Sequence, residues 1–199
     1  MMNFDHNTMS FKKILPFIVL SLVIASPAFA QQKKEEEASS SKTLEFMAKD
    51  GSLLVKEFYD LATIKGVKCQ VLIIKDVVAN KKIGCMRLET THYSSYSSSS
   101  DTYIGTLDSD ELDACIKSLK YLKDNLLSQP ATTYTEAGYK SRDKVEIGAF
   151  YSTAKNNWSA YVQTKSYTSR SMKFFDAENL DALAAEMEKA KELIAEKIK

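Results

Sequence analysis

Leu107-Asp-Ser-Asp-Glu-Leu-Asp-Ala-Cys-Ile116 recurs 68 residues later as Phe175-Asp-Ala-Glu-Asn-Leu-Asp-Ala-Leu-Ala184. The offset matches Asp108 with Asp176, Leu112 with Leu180, Asp113 with Asp181 and Ala114 with Ala182. Apolar residues continue at helical spacing in both copies, at 112, 115, 116, 119, 122 and 126 and at 180, 183, 184, 187, 190 and 194. Two related amphipathic helices predict a duplicated unit.

Acidic residues open both helices. We expect Asp108 and Asp176 to be the N-caps, with Glu111 completing a capping box beside Asp108. A calcium site is the alternative for the cluster that also includes Asp110 and Asp113, but the cluster lacks the glycine and the distant glutamate of an EF-hand loop. Negative charge at a helix N-terminus is stabilising by about 0.3–1 kcal/mol, so capping is the favoured interpretation.

Four segments rich in β-branched and aromatic residues precede each helix and are typical of strands. They are 53–60, 67–78, 82–93 and 102–107 ahead of the first helix, and 132–140, 144–153, 158–165 and 170–175 ahead of the second. Asn80 and the run 155–157 are turn signals in the matching hairpins. Asp50-Gly51 is another hairpin signal, so an additional strand is predicted over Thr43–Lys49.

This element order predicts an α+β protein of two repeats, each a four-stranded antiparallel sheet followed by a helix, packed as a pseudodimer. The first repeat is expected over 43–128 and the second over 129–199, because Gln129-Pro130 ends the first helix. Each sheet has an apolar face that must be covered, either by its own helix or by the helix of the other repeat. In element order, most of residues 43–199 resembles the Whirly-type single-stranded-DNA-binding fold, which also pairs two sheet-plus-helix halves. This resemblance carries over no binding residues.

Residues 1–30 have the pattern of a signal peptide. Two lysines precede an uncharged, mostly apolar run over 14–26, and Ala28-Phe29-Ala30 supplies the small-x-small cleavage pattern. The apolar run is too short for a spanning helix. We therefore expect a mature chain that begins near Gln31, is exported to the periplasm or the exterior, and has no membrane span after cleavage.

The segment 31–42 is expected to be a disordered tether because it has no large apolar side chain to bury. Beyond the leader, acidic and basic residues are equal in number. Such a balance gives no overall attraction to nucleic acid or to an anionic membrane.

Histidine and cysteine usage excludes several chemistries. His92 is the only histidine after the leader, which argues against two-histidine metal sites and histidine-dependent nucleophilic catalysis. Glycines are few and isolated, so no nucleotide cofactor is indicated, and we predict no cofactor, no metal and no catalytic residue. Cys69, Cys85 and Cys115 are interpreted as buried thiols, with a Cys69–Cys85 disulfide as the alternative.

Tyrosines and serines are concentrated around two strand connections. One connection runs from 90 to 101 and the other from 165 to 170, at equivalent places in the two repeats. Such residues form adaptable recognition surfaces, although a solvated connector is the simpler alternative. The candidate ligand or partner surface consists of Tyr93, Tyr96, Tyr103, Tyr167 and Arg170.

The sequence thus favours an exported, non-catalytic binding or structural module whose ligand is unknown. The partner classes left open are a protein, a glycan and another copy of the chain. A single-stranded nucleic-acid-binding protein is the alternative on fold analogy, although such binding needs a basic groove. A carboxylate-dependent hydrolase is a further alternative, because acidic pairs formed across the fold are invisible in sequence.

Overall fold

The computed structural model of the chain describes residues 40–94 and 98–199, and the predicted signal peptide over 1–30 lies outside them. A 3-10 turn at Ser109–Glu111 leads into the second helix, and a π-helical turn at Leu122–Leu126 extends it. The elements are α1 (Lys42–Met47), β1 (Leu54–Ile64), β2 (Val67–Asp76), β3 (Lys81–Tyr93), β4 (Ser100–Asp108), α2 (Leu112–Tyr121), β5 (Thr135–Lys140), β6 (Glu146–Ser152), β7 (Asn157–Gln163), β8 (Met172–Phe175) and α3 (Asn179–Lys197).

The described residues form two four-stranded antiparallel sheets, ordered β1-β2-β3-β4 and β5-β6-β7-β8. This confirms the predicted α+β fold with two sheet repeats. Asn80 and Asn156 both have positive φ angles, of 49° and 52°, in the turns that precede β3 and β7. Lys65-Gly66, also at positive φ, makes the two-residue turn between β1 and β2.

Each long helix covers the sheet of the other repeat. The second repeat's helix, α3, packs on β1, β2 and β3, whereas α2 packs on β5 and on α3. Ile194 of α3 lies so close to the first sheet that a Cβ atom on Gly84 of β3 would be 2.7 Å from its Cγ2. All six predicted stripe positions of α3 are buried, as are those of α2 except Leu126, which is half-buried against the same core. The predicted core faces of both helices are therefore confirmed.

A buried carboxylate fixes α3 against the edge of the first sheet. β1 has an irregularity between Asp60 and Thr63, where the regular pairing with β2 is interrupted. Within it, the backbone N–H of Ala62 donates to Glu186 of α3 over 3.1 Å. Lys189 donates to the second Glu186 oxygen over 2.6 Å. The bulge thus directs a backbone donor toward the helix instead of along the sheet.

Two buried threonines mark the seam between the repeats. The 68-residue offset also holds for the fourth strand of each repeat, where it matches Leu107 with Phe175. The residues that face these two on the neighbouring strands are therefore equivalent, and they align the third strands of the repeats. By that relation Thr90 and Thr164 are equivalent, and they are 74 residues apart. Their hydroxyl oxygens share a hydrogen bond of 2.9 Å, and both residues have no exposed surface. Contact between equivalent residues is what a twofold relation between two units produces.

The segment 43–49 is a helix where a strand was predicted. Ser41 caps α1, and its hydroxyl accepts a hydrogen bond from the backbone N–H of Leu44 over 3.4 Å. Thr43 and Phe46 are buried together, and their three-residue spacing is that of a helix face and not of a strand. The predicted tether over 31–42 consequently ends too late, since Ser41 is buried and Lys42 begins α1.

This short helix covers part of the outer face of the first sheet, the face opposite α3. Phe46 packs there with Leu72, Ile74 and Cys85 in a second, smaller core. The first sheet is therefore packed on both faces, by α3 on one and by α1 on the other.

The two helix starts differ. Glu111 accepts a hydrogen bond from the backbone N–H of Asp108 over 2.9 Å, so the predicted capping box is present. Asp176 is not the N-cap of α3: its backbone carbonyl accepts from Asn179, and the helix begins at that residue. The turn between β8 and α3 moves the helix start beyond the predicted aspartate.

All three cysteines are free and buried. Cys69 lies opposite Leu88, and Cys85 lies opposite Leu72. Cys69 belongs to the main core and Cys85 to the core under α1, so their side chains lie on opposite faces of one sheet and cannot form the alternative disulfide. Burial raises the pKa of all three thiols to about 12.

We expect Gly84→Ala to destabilise the fold by about 1–3 kcal/mol, because the added methyl group overpacks the contact with Ile194. Ile194→Ala alone should cost about 2–5 kcal/mol through the cavity it leaves. If α3 covers the first sheet, the double variant should cost clearly less than the two single variants together, since the new methyl group enters the vacated space. Urea unfolding of the wild type, the two single variants and the double variant measures this coupling. Strictly additive costs would contradict the packing of α3 on the first sheet.

Candidate binding surfaces

The structure places the predicted tyrosine surface at the end of the molecule where the two repeats meet. Tyr93 and Tyr167 are 73% and 79% exposed, and Tyr103 is half-buried in β4. Arg170 lies 3.4 Å from Asp101, so the loop after β7 reaches the beginning of β4 across the seam. Tyr96 lies outside the described residues. We call Tyr93, Tyr103, Tyr167 and Arg170 the loop surface.

A second bond at the same end holds the repeats together. Lys173 of β8 donates to the backbone carbonyl of Thr91 in β3 over 2.6 Å. The connections that carry Tyr93 and Tyr167 therefore start from strands that are tied directly to each other. The strands beneath the loop surface are thus bonded to each other, and its most exposed residues are two tyrosines.

The acidic cluster at the start of α2 holds α1 in place. Asp108, only 1% exposed, accepts hydrogen bonds from the hydroxyls of Ser41 and Thr43 over 2.9 and 2.6 Å, and from the backbone N–H groups of Lys42 and Thr43 over 2.8 and 3.0 Å. Burial alone would raise the pKa of Asp108, but these donors outweigh it and hold that pKa below its usual value. Asp108 therefore holds α1 in addition to taking part in the capping box, and the sequence did not indicate this second role.

Arg142 neutralises the same cluster. Its guanidinium lies 3.0 Å from Asp108 and also pairs with Asp110, while its backbone N–H donates to Glu111 over 2.8 Å. Asp113 pairs instead with Lys191 of α3, at 2.5 Å. Each carboxylate of the cluster therefore has a cationic or backbone partner. Across the described residues, no group of three or more metal-ligating side chains has the geometry to hold a metal ion.

The outer face of the second sheet carries a row of aromatic rings. Ile147 and Val162 belong to the core, so Phe150 on β6 and Tyr161 on β7 point the other way. Phe150 is the centre of the row: its ring centroid is 6.2 Å from that of Tyr134, 6.5 Å from that of Tyr161 and 5.8 Å from that of Phe174. Tyr134 and Phe174 are each 60% exposed. We call these four residues, Tyr134, Phe150, Tyr161 and Phe174, the aromatic face.

A depression of about 280 Å³ opens beside Tyr161. Gly138 and Gly148 lie directly opposite each other in β5 and β6, where a Cβ on Gly148 would be 2.4 Å from the Ala137 carbonyl oxygen. A Cβ on Gly138 would be 3.4 Å from the Tyr161 hydroxyl. The glycines thus let the two strands approach closely and keep the floor of the depression free of side chains.

Charged side chains surround this depression. Its lining includes Glu136, Lys140 and Glu146. Lys140 lies 2.7 Å from Glu146, and the Tyr134 hydroxyl donates to Glu136. Burial raises the pKa of Tyr161, and the negative charges of Glu146 and Glu136 raise it further. With two carboxylates against one ammonium group, the lining of the depression has a net negative charge, which suits a cationic group.

The aromatic face was missed in the sequence, although a signal for it exists. Phe150-Tyr151 and Phe174-Phe175 put large rings at consecutive strand positions, hence on both faces of one sheet. Tyr151 and Phe175 are buried, which leaves their neighbours on the outer face. Adjacent aromatic residues in a strand thus indicate a second apolar face that something must cover.

We expect Asp108→Ala to destabilise the chain by about 3–5 kcal/mol, the cost of removing one partner from a buried ion pair. Asp113→Ala is the matched control from the same cluster, and it should cost no more than about 1 kcal/mol because its ion pair is exposed. The pKa of Asp108 is lowered in the folded chain, so its contribution is present above the unfolded pKa of about 4 and is lost as the pH falls through the folded value. Urea unfolding as a function of pH measures both effects. Equal costs for the two variants would contradict the role assigned to Asp108.

Comparisons with protein-family models, with curated proteins and with solved structures find no match. Among residues 40–94 and 98–199, no helix has the length and apolar character needed to cross a membrane.

Proposed function

We propose that this chain is an exported, non-catalytic binding module, and that it binds a protein partner through the aromatic face. The observation that carries this proposal is the exposure of Tyr134 and Phe174, each 60% exposed and in contact with Phe150. Exposed apolar patches of this kind are typical of interaction sites. Aromatic residues at the centre of an interface commonly contribute most of its binding energy.

The charges around the aromatic face support a protein partner that offers a basic side chain. Two carboxylates, Glu136 and Glu146, and one ammonium group, Lys140, line the depression beside Tyr161. An arginine or lysine that enters there meets these carboxylates, while apolar neighbours pack on Phe150 and Phe174. An interface with an aromatic centre and a charged rim is the usual arrangement between proteins. The net negative lining disfavours the phosphate backbone of a nucleic acid.

The absence of catalysis is part of the proposal and has its own support. The thiols of Cys69, Cys85 and Cys115 are buried, and their raised pKa values keep them protonated at neutral pH. Asp108 and Glu111, the buried acids at the start of α2, are occupied by backbone groups and by Arg142.

The loop surface is the second candidate for the binding site. Its support is the exposure of Tyr93 and Tyr167, the most exposed tyrosines among residues 40–94 and 98–199. The strands next to these tyrosines are joined across the seam by the bond from Lys173 to Thr91, and Arg170 pairs there with Asp101.

A positional-scanning peptide library tests the proposal directly. We expect the chain to retain peptides in which an arginine or lysine is flanked by large apolar residues. Tyr134→Asp and Phe174→Asp should each weaken this retention at least about tenfold, since an interfacial aromatic residue commonly contributes more than 1.4 kcal/mol.

The matched control is Tyr121→Asp, because Tyr121 is also 60% exposed but belongs to α2. It should leave peptide retention unchanged. Loss of retention in Tyr93→Ser and Tyr167→Ser, but not in Phe174→Asp, would move the site to the loop surface. Retention of neutral oligosaccharides with no peptide enriched would replace the protein partner by a glycan.

A further inference from the structure

One long edge of the first sheet has no neighbouring strand in the described part of the chain. β1 is the outermost strand of that sheet and pairs only with β2. It is eleven residues long, and most of its residues are exposed. At the opposite edge, β4 is covered: the backbone N–H of Thr106 donates to Asp143 over 2.9 Å, and its carbonyl accepts from Ser141 over 3.2 Å. One edge of this sheet, β4, is therefore covered by bonds from the second repeat, whereas the other edge, β1, is open to a further strand.

Long exposed edge strands are templates for pairing with another strand. Natural proteins usually cover such an edge or place charges along it to repel a partner. β1 has charges, but they are of opposite sign on the same face. Lys56, Phe58 and Asp60 lie opposite Ile74, Leu72 and Gln70 of β2, on the outer face of the sheet.

The three outer-face residues of β1 have a self-complementary order. In an antiparallel pair of two copies centred on Phe58, each Lys56 is directly opposite the Asp60 of the other copy. The two Phe58 rings are then direct cross-strand neighbours. Opposite charges and aromatic rings at directly paired positions stabilise antiparallel strands, whereas like charges there destabilise them. Moving the centre of the pair by two residues, from Phe58 to Lys56 or to Asp60, would place two lysines or two aspartates opposite each other.

The exposure and pairing of these residues leave room for such a partner. Phe58 is 53% exposed, and the Arg87 guanidinium lies over its ring at 5.8 Å from the centroid. Lys56 has no ion pair within the described residues. The Asp60 side chain remains 69% exposed although Lys68 lies 3.1 Å away.

We propose that two copies of this chain associate through β1, in antiparallel register centred on Phe58, and form one continuous eight-stranded sheet. The interface is isologous, because the same segment of both copies forms it. Its register ends at the β1 bulge, where Ala62 is already bonded to Glu186 of α3. This interface is separate from the aromatic face and does not depend on the function proposed for that face.

Sedimentation velocity of the purified chain over a dilution series tests the proposal, and the wild-type chain should reach a dimer at high concentration. Lys56→Glu places glutamate opposite aspartate twice in each dimer, and Asp60→Lys places lysine opposite lysine twice. Each variant should weaken self-association at least about tenfold. An equimolar mixture of the two variants should recover the dimer, because every charged pair between unlike copies is again of opposite sign.

Lys155→Glu is the matched control, since it makes the same charge change in the turn between β6 and β7 and should leave association unchanged. Urea unfolding checks that each variant retains its fold, and Lys56→Glu against Lys155→Glu still decides the question if Asp60→Lys does not fold. A wild-type chain that stays monomeric at every concentration would overturn the proposal. Equal association of Lys56→Glu and wild type, or a mixture that does not recover the dimer, would also overturn it.

Discussion

The fold depends on the need of each four-stranded sheet for a covering helix, and each helix comes from the other repeat. Ile194 of α3 contacts the first sheet at Gly84, where even a methyl side chain would crowd it. The main core accordingly draws residues from both sheets and both long helices. Neither repeat buries its own apolar face, so the two halves form one cooperative unit and not two domains. The hydrogen bond between Thr90 and Thr164 joins the two repeats directly.

Sequence reasoning predicted those features that depend on local periodicity. The helix stripes, the order of the four strands in each sheet and the turns at Asn80 and Asn156 follow from side-chain spacing and from residues that tolerate positive φ. Which helix covers which sheet was left open, because covering an apolar face is equally favourable in either connectivity. The strand predicted over Thr43–Lys49 was wrong for a non-local reason: the helix there is held by Asp108, more than sixty residues away in sequence.

The candidate sites show the same limit. The exposed tyrosines of the two loops could be predicted, since residue type and loop position are visible in sequence. The aromatic face depends on pairing across four strands, which brings Tyr134, Phe150 and Phe174 together from separate segments. Its depression depends on the meeting of Gly138 and Gly148, two glycines that look unremarkable singly. The self-complementary order of β1 is present in sequence, but it has meaning only because the strand lies at a free edge.

The position of Cys85 under α1 gives the chain a built-in reporter of partial opening. α1 is a single short helix, and its residue Phe46 packs on this thiol. Cys69 and Cys115 instead lie in the main core. Release of α1 alone would expose Cys85 to a thiol reagent, and the other two would become reactive only on a larger opening. The three cysteines therefore sample two levels of structural opening on different timescales. The same depth difference makes Cys85 the first thiol at risk of oxidation whenever the contact between α1 and Asp108 is lost.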